Sequence, residues 1–304
     1  DHESIRQAIV QSLQAAPSTV VAHQMASGAS YLVTVASARG GVGKTLVASN
    51  IAACLAQWNP NVSLIDFSGQ PNDFSVMLDA VPRNTIADLL SVGEQIDAEF
   101  LETLMADHPL GLRFLASPSQ EFDIAELTKP IARDVASNLR QISEYVVIDT
   151  GRPDVPATEA ALNECDLAFI LTSRDVVRLL ATQRFIKKLA EWDVAAERIK
   201  VLVNSAEVGA EISDGEIESI LEHPVAAYLP SNPEQATYSI NSGKPITISD
   251  PKQPLAVVLT KLAELTFNRW SDEKKKGADK AAARPPKQAM AAAAGWPNAR
   301  QGMR

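Results

Sequence analysis

The ten residues ASARGGVGKT at positions 36–45 constrain this chain more than any other stretch, because of what flanks them. LVTVA at 32–36 is a continuous apolar run of strand length, and the residues from 44 onward follow a helical pattern. A glycine-rich turn between a strand and a helix is the setting in which backbone N–H groups can surround a phosphate. Gly40, Gly41 and Gly43 allow positive-φ turns and close approach of the main chain. The helix that opens near Lys44 adds the positive end of its dipole. Lys44 is placed to reach outer phosphates, and the Thr45 hydroxyl to ligate a magnesium ion, so the expected ligands are ATP and Mg²⁺. Val42 and Leu46 complete the expected loop contacts.

The rest of the chain repeats this alternation. Strands are predicted at 32–36, 62–66, 112–116, 145–149, 167–172, 200–204 and 225–230. Helices are predicted near 44–57, 85–106, 123–142, 156–164, 175–192, 213–222, 232–242 and 253–268. Apolar runs without alternation imply strands buried on both faces, and helical crossovers imply parallel pairing. The fold class is therefore α/β, a doubly wound, mostly parallel sheet with helices on both faces. Residues 1–30 read as an N-terminal remnant or linker, 31–269 as one nucleotide-binding domain, and 270–304 as a disordered basic tail rich in Ala and Pro.

Charge narrows the partners. The net charge is −9, but residues 271–304 hold eight Lys/Arg against three Asp/Glu, leaving +5 there and −14 in the remainder. So acidic a body is a poor match for nucleic-acid phosphates, and no specific nucleic acid is expected. No apolar run reaches the ~18 residues of a membrane span, so no direct membrane insertion is expected. Cys54 and Cys165 lie far apart in helix-like surroundings, as suits a reducing cytoplasm.

Two aspartates end predicted strands, Asp66 after VSLI and Asp149 after YVVI, at the carboxyl edge where parallel sheets bind ligands. Asp73 follows as a further carboxylate, read first as a helix-start residue before FSVMLD. Asn204 ends KVLVN, and Pro230, Ser231 and Asn232 open a loop after the last strand; read alone, an Asn there is a turn former.

These features together resemble the MinD/ParA superfamily, whose deviant loop reads KGGxGK[ST]. Here Ala38 replaces the first glycine of the general motif, and Arg39 stands where the family's cross-dimer lysine would be. The resemblance implies that Lys44, Asp66 and Arg39 serve catalysis, Arg39 by contacting the partner's ATP in a homodimer promoted by ATP. It also implies that Thr45, Asp66 and Asp149 hold magnesium, and that Asn204 with the 230–232 loop cradles adenine. Ser68 occupies the place of the family's water-orienting aspartate, so hydrolysis is expected to be slow, with Asp73 the less favoured substitute. RNTIADLLSVGEQIDAEFLETLM and the stretch from YVVIDTGRPD to RFIKKL resemble the TadZ/CpaE branch of Flp (Tad, type IVb) pilus assembly proteins. That branch implies docking to pilus assembly proteins, a location in the cytoplasm at the cell pole beside the inner membrane, and an upstream receiver-like domain of which the first thirty residues are at most a remnant.

Overall fold

A computed structural model describes residues 30–282 apart from 60, 72, 91–95, 121 and 206–211, with side chains described up to 272. Its centre is an eight-stranded sheet: β1 (Tyr31–Ser37), β2 (Val62–Phe67), β3 (Ala106–Asp107), β4 (Leu112–Leu115), β5 (Tyr145–Thr150), β6 (Leu167–Ser173), β7 (Ile199–Asn204) and β8 (Val225–Leu229). The spatial order is β3-β4-β2-β5-β1-β6-β7-β8, and every pairing is parallel except β3 with β4. All residues of β1, β2, β5 and β6 are buried, which is why these strands read as unbroken apolar runs. The order reverses around β1, so its carboxyl end opens a crevice at a topological switch point.

Helices cover both faces. On one lies α1 (Lys44–Trp58), whose Val47, Ile51 and Leu55 are fully buried and which packs along β1, β2 and β5. Two short helices follow β2: α2 (Asp73–Met77), then α3 (Ile86–Leu90). The opposite face of the sheet, including Leu32, Ile65, Val146, Ile148 and Ile170, shares a core with α4 (Ala98–Leu104), α5 (Lys129–Ile142), α6 (Pro156–Glu164), α7 (Val176–Glu191) and α8 (Asp214–Leu221). α9 (Pro233–Asn241) packs on α2, and α10 (Ile246–Ser249) on α1. α11 (Pro254–Ala282) crosses the division between two compact units, which falls between Thr266 and Phe267.

All seven expected strands are present, but several helical expectations need correction. The helix expected at 85–106 is two helices, and Asp97 is the reason the second begins: its carboxylate accepts the Phe100 N–H at 2.8 Å. The two residues of β3 then close an antiparallel edge that is too short to show a period. The helix expected at 123–142 is a 3₁₀ turn at Ile124–Glu126 followed by α5, because Pro130 fits only a first helical turn. The last helix runs to Ala282, into the segment whose composition suggested disorder from 270; residues 1–29 and 283–304 lie outside the described residues.

Candidate functional site

At the end of β1 the chain turns through Gly41 (φ 76°) and Gly43 (φ 95°), a backbone that side-chain-bearing residues adopt only at a cost. A Cβ added at Gly40 or Gly41 would meet nothing within 4 Å, so the loop faces open space. Gly43 is the N-cap of α1, and no side chain caps this helix. Its first-turn N–H groups therefore point out beneath the loop, as an anion site needs. Val42 is buried and anchors the loop, while Arg39 is exposed.

Three polar ties fix the geometry around this turn. Ser37 Oγ donates to the Arg39 carbonyl at 2.7 Å and accepts from Lys44 Nζ at 3.1 Å, so the lysine is folded back over its own loop. Thr45 Oγ1 donates to Asp149 Oδ2 at 2.7 Å, which binds the first turn of α1 to the end of β5. Asn204 Nδ2 donates to the Val42 carbonyl at 3.0 Å and so joins the end of β7 to the loop.

Asp66 and Asp149 are direct neighbours across β2 and β5, and both are fully buried. Asp66 accepts the Ser68 N–H at 2.7 Å and the Ser117 N–H at 3.2 Å, one on each oxygen. Burial raises its pKa, and the bonds from Ser68 and Ser117 pull the other way. The Asp149 carboxyl is pushed up to about 7 by burial and then by the charge of Asp66, against the pull of Lys44 and the Thr45 hydroxyl. Its Oδ1 is buried without a hydrogen-bond partner.

That orphaned oxygen tests whether the residues fit magnesium. Among the described residues no three His, Cys, Asp or Glu side chains group to cage a metal on their own. One hydroxyl beside one underbonded carboxylate, below an open anion loop, is instead the donor set of an ion that takes its remaining ligands from phosphate and water. Thr45 and Asp149 fit that role. Each oxygen of Asp66 accepts one main-chain N–H, which fixes the orientation of this carboxylate beside Asp149.

The remaining expected residues gather at the same edge with other tasks. Asn232 accepts the Gln235 N–H at 3.2 Å as the cap of α9 and donates to Gln253 Oε1 at 3.2 Å. Its side chain thus caps α9 and ties the 230–232 loop to Gln253. The Leu46 carbonyl accepts from Asn50 Nδ2 at 2.8 Å. Ser68 is nearly buried, and its Oγ accepts the Gln70 N–H at 3.1 Å. Asp73 begins α2, as expected of a helix-start residue, yet it also lies within the field of Asp66 and Lys44.

Sequence reasoning missed Ser37, Ser117 and Gly151. The two serines look like ordinary turn formers, and only the strand order brings Ser117 to Asp66. A Cβ on Gly151 would lie 3.0 Å from the Ser68 carbonyl oxygen, so this glycine lets the ends of β2 and β5 close together.

Comparison with known proteins agrees with this geometry. Residues 33–246 match the family model for the CobQ/CobB/MinD/ParA nucleotide binding domain. The septum site-determining protein MinD of Helicobacter pylori is 25% identical over 233 residues, covering 72% of this chain and 84% of that protein. The MinD of Escherichia coli is 25% identical over 263 residues, covering 81% and 96%. A ParA family ATPase from Chlorobium tepidum has a similar fold, with a TM-score of 0.70 at 22% identity over 77% of this chain and 99% of its own. The MinD of Pyrococcus horikoshii in complex with Mg-ADP superposes with a TM-score of 0.66 at 20% identity over 77% and 95%. A family model that spans most of the chain makes this chain a member of the CobQ/CobB/MinD/ParA nucleotide-binding family.

Proposed function

We propose that this chain binds ATP with Mg²⁺, hydrolyses it slowly, and serves through an ATP-promoted homodimer as a positional factor for a Flp (Tad) type IVb pilus. The observation that carries the nucleotide reading is the Thr45–Asp149 bond with the orphaned Asp149 Oδ1 beside it, under an uncapped helix and an open glycine loop. Lys44 exchanges its bond to Ser37 for the outer phosphates, and the N–H groups of residues 40–45 receive the phosphate oxygens. Thr45 and Asp149 would hold the cation, which would supply positive charge against that of the phosphates. Asn204 and the backbone of 230–232 form the side facing adenine. Exposed Arg39 is free to reach a second copy across the nucleotide.

The pilus assignment rests on the resemblance of 83–105 and 145–189 to the TadZ/CpaE branch, with docking to pilus assembly proteins at the pole in the cytoplasm. Among the described residues no helix is long and apolar enough to cross a membrane. The likeness to septum site-determining proteins supports a second reading, a positioning ATPase of another system. Slow turnover rests on Ser68, whose hydroxyl lacks the negative charge of a carboxylate.

Calorimetry with ATP, with and without Mg²⁺, tests the binding reading, and absence of heat in both rejects it. A fluorescent fusion followed in a cell that builds such a pilus tests the second part. Polar foci that vanish with Lys44→Ala support the pilus role, whereas foci at mid-cell favour the alternative. ATP bound without any phosphate release identifies a static scaffold.

A further inference from the structure

Ser68 leaves open which side chain orients the attacking water. Its Oγ accepts from the Gln70 N–H, and Asp66 receives two main-chain N–H groups, so neither presents an uncommitted carboxylate. Asp149 is bonded to Thr45 through one oxygen and faces the cation position with the other. Asp73 differs from all of these. It is half-buried and makes no hydrogen bond or ion pair among the described residues.

The packing of α2 on α1 shows where Asp73 lies. Met77, one helical turn beyond Asp73 and on the same face, has its Sδ 3.8 Å from Ser49 Oγ. Ser49 lies one turn beyond Thr45 on α1. α2 packs on α1, and Asp73 starts it six residues past the carboxyl end of β2. Electrostatics agree: burial and the charge of Asp66 raise the Asp73 pKa, and Lys44 draws it down. The far end of α2 is pinned. Phe74 and Leu78 are buried, the Leu78 carbonyl is bonded to His108 Nε2 at 2.8 Å, and Gly243 lies hard against Asp79.

Taking as given that the chain hydrolyses ATP, we propose that Asp73 is the catalytic carboxylate that orients the attacking water, in place of residue 68. The water oxygen bonds to the γ-phosphorus, and the bond from that phosphorus to the β,γ-bridging oxygen breaks, leaving its electron pair on ADP. The water proton passes by way of the Asp73 carboxylate to the released phosphate. Phosphoryl transfer depends mostly on positioning, so a carboxylate reaching the site from α2 orients the water without having to stand on the strand end. The turnover stays slow because a short helix, rather than the sheet, holds it.

Single-turnover phosphate release at saturating ATP and Mg²⁺ tests the proposal, with ATP affinity measured in parallel by calorimetry. Asp73→Asn is expected to lower the rate by at least ~100-fold while affinity stays within ~3-fold. A mutant rate within ~3-fold of wild type overturns the proposal, as does a joint loss of rate and affinity, which marks a structural role. Should Asp73→Asn fail to fold, Asp73→Ser keeps a helix-starting side chain and is judged by the same two criteria. Wild-type protein that binds ATP and releases no phosphate overturns the inference together with slow hydrolysis and leaves nucleotide binding standing, whereas wild-type protein that binds no ATP overturns the nucleotide reading beneath both.

Discussion

Thr45 on the first turn of α1 donates its hydroxyl to Asp149 at the end of β5, over 2.7 Å, and leaves the other oxygen of that buried carboxylate without a partner. An underbonded carboxylate in the interior favours its protonated form until a cation arrives.

The pH dependence of the ligand-free protein follows. Asp149 titrates at about 7 in the folded chain against an ordinary value of 3.8, so the native state holds this proton more tightly than the unfolded chain does. The associated stability is complete below the ordinary value and is lost as pH rises through about 7. Asp66 and Asp73 are shifted upward as well and act in the same direction. Between pH 6 and 8 the melting temperature of ligand-free protein should fall by a few degrees, from roughly 1 kcal/mol of lost stability. Asp149→Asn should flatten that fall and remove stabilisation by Mg²⁺ with nucleotide. Scanning calorimetry at the two pH values checks both.

Lys44→Ala removes the cation that the outer phosphates need, and Lys44 is only partly buried, so the fold survives its loss. ATP affinity should drop by ~10–100-fold or more, since a charge-assisted bond is worth about 1.5–3 kcal/mol. The melting temperature without ligand should stay within a few degrees of wild type. Affinity within ~3-fold of wild type in the mutant counts against the phosphate-loop assignment.

Arg39 is exposed at the rim of the loop. If it serves a second copy, Arg39→Ala should weaken the ATP-dependent dimer by ~10-fold while ATP affinity changes less. Light scattering over a concentration series, with and without ATP, separates the two effects. An unchanged mass in wild type on adding ATP rejects the dimer switch.

Two glycines make a matched pair for stability. Gly243 has φ 63°, and a Cβ there would lie 2.9 Å from the Cα and N of Asp79. Gly243→Ala should therefore cost on the order of 2–3 kcal/mol, combining positive-φ strain with displaced packing. Gly215 lies in α8 with nothing within 4 Å of its Cβ position, so Gly215→Ala should gain ~0.5–1 kcal/mol. Urea unfolding of the two variants should give opposite signs.

The sheet was legible because its strands are buried on both faces and so keep no polar alternation to obscure them. The phosphate loop was legible because glycines, lysine and threonine sit between a strand and a helix. The split of two helices was written in Asp97 and Pro130, residues that start helices better than they continue them. The ties that arm the site were not legible. Ser117 reaches Asp66 only because β4 lies beside β2, and no periodicity encodes that order. Likewise, Asp73 reads as a helix start in sequence, and only the folded chain packs its helix on α1, the helix that Lys44 begins.

The amide of Asn204 holds the carbonyl of Val42, so the strand proposed to face the base also props up the glycine turn. The two halves of nucleotide recognition share a strut. Asn204→Ala would then blur discrimination between purines and at the same time loosen the grip on inorganic triphosphate, a ligand with no base at all. Energies assigned to base and phosphate by separate substitutions will not sum in this site, and selectivity among nucleotides is set partly by how stiffly one amide keeps a glycine turn in shape.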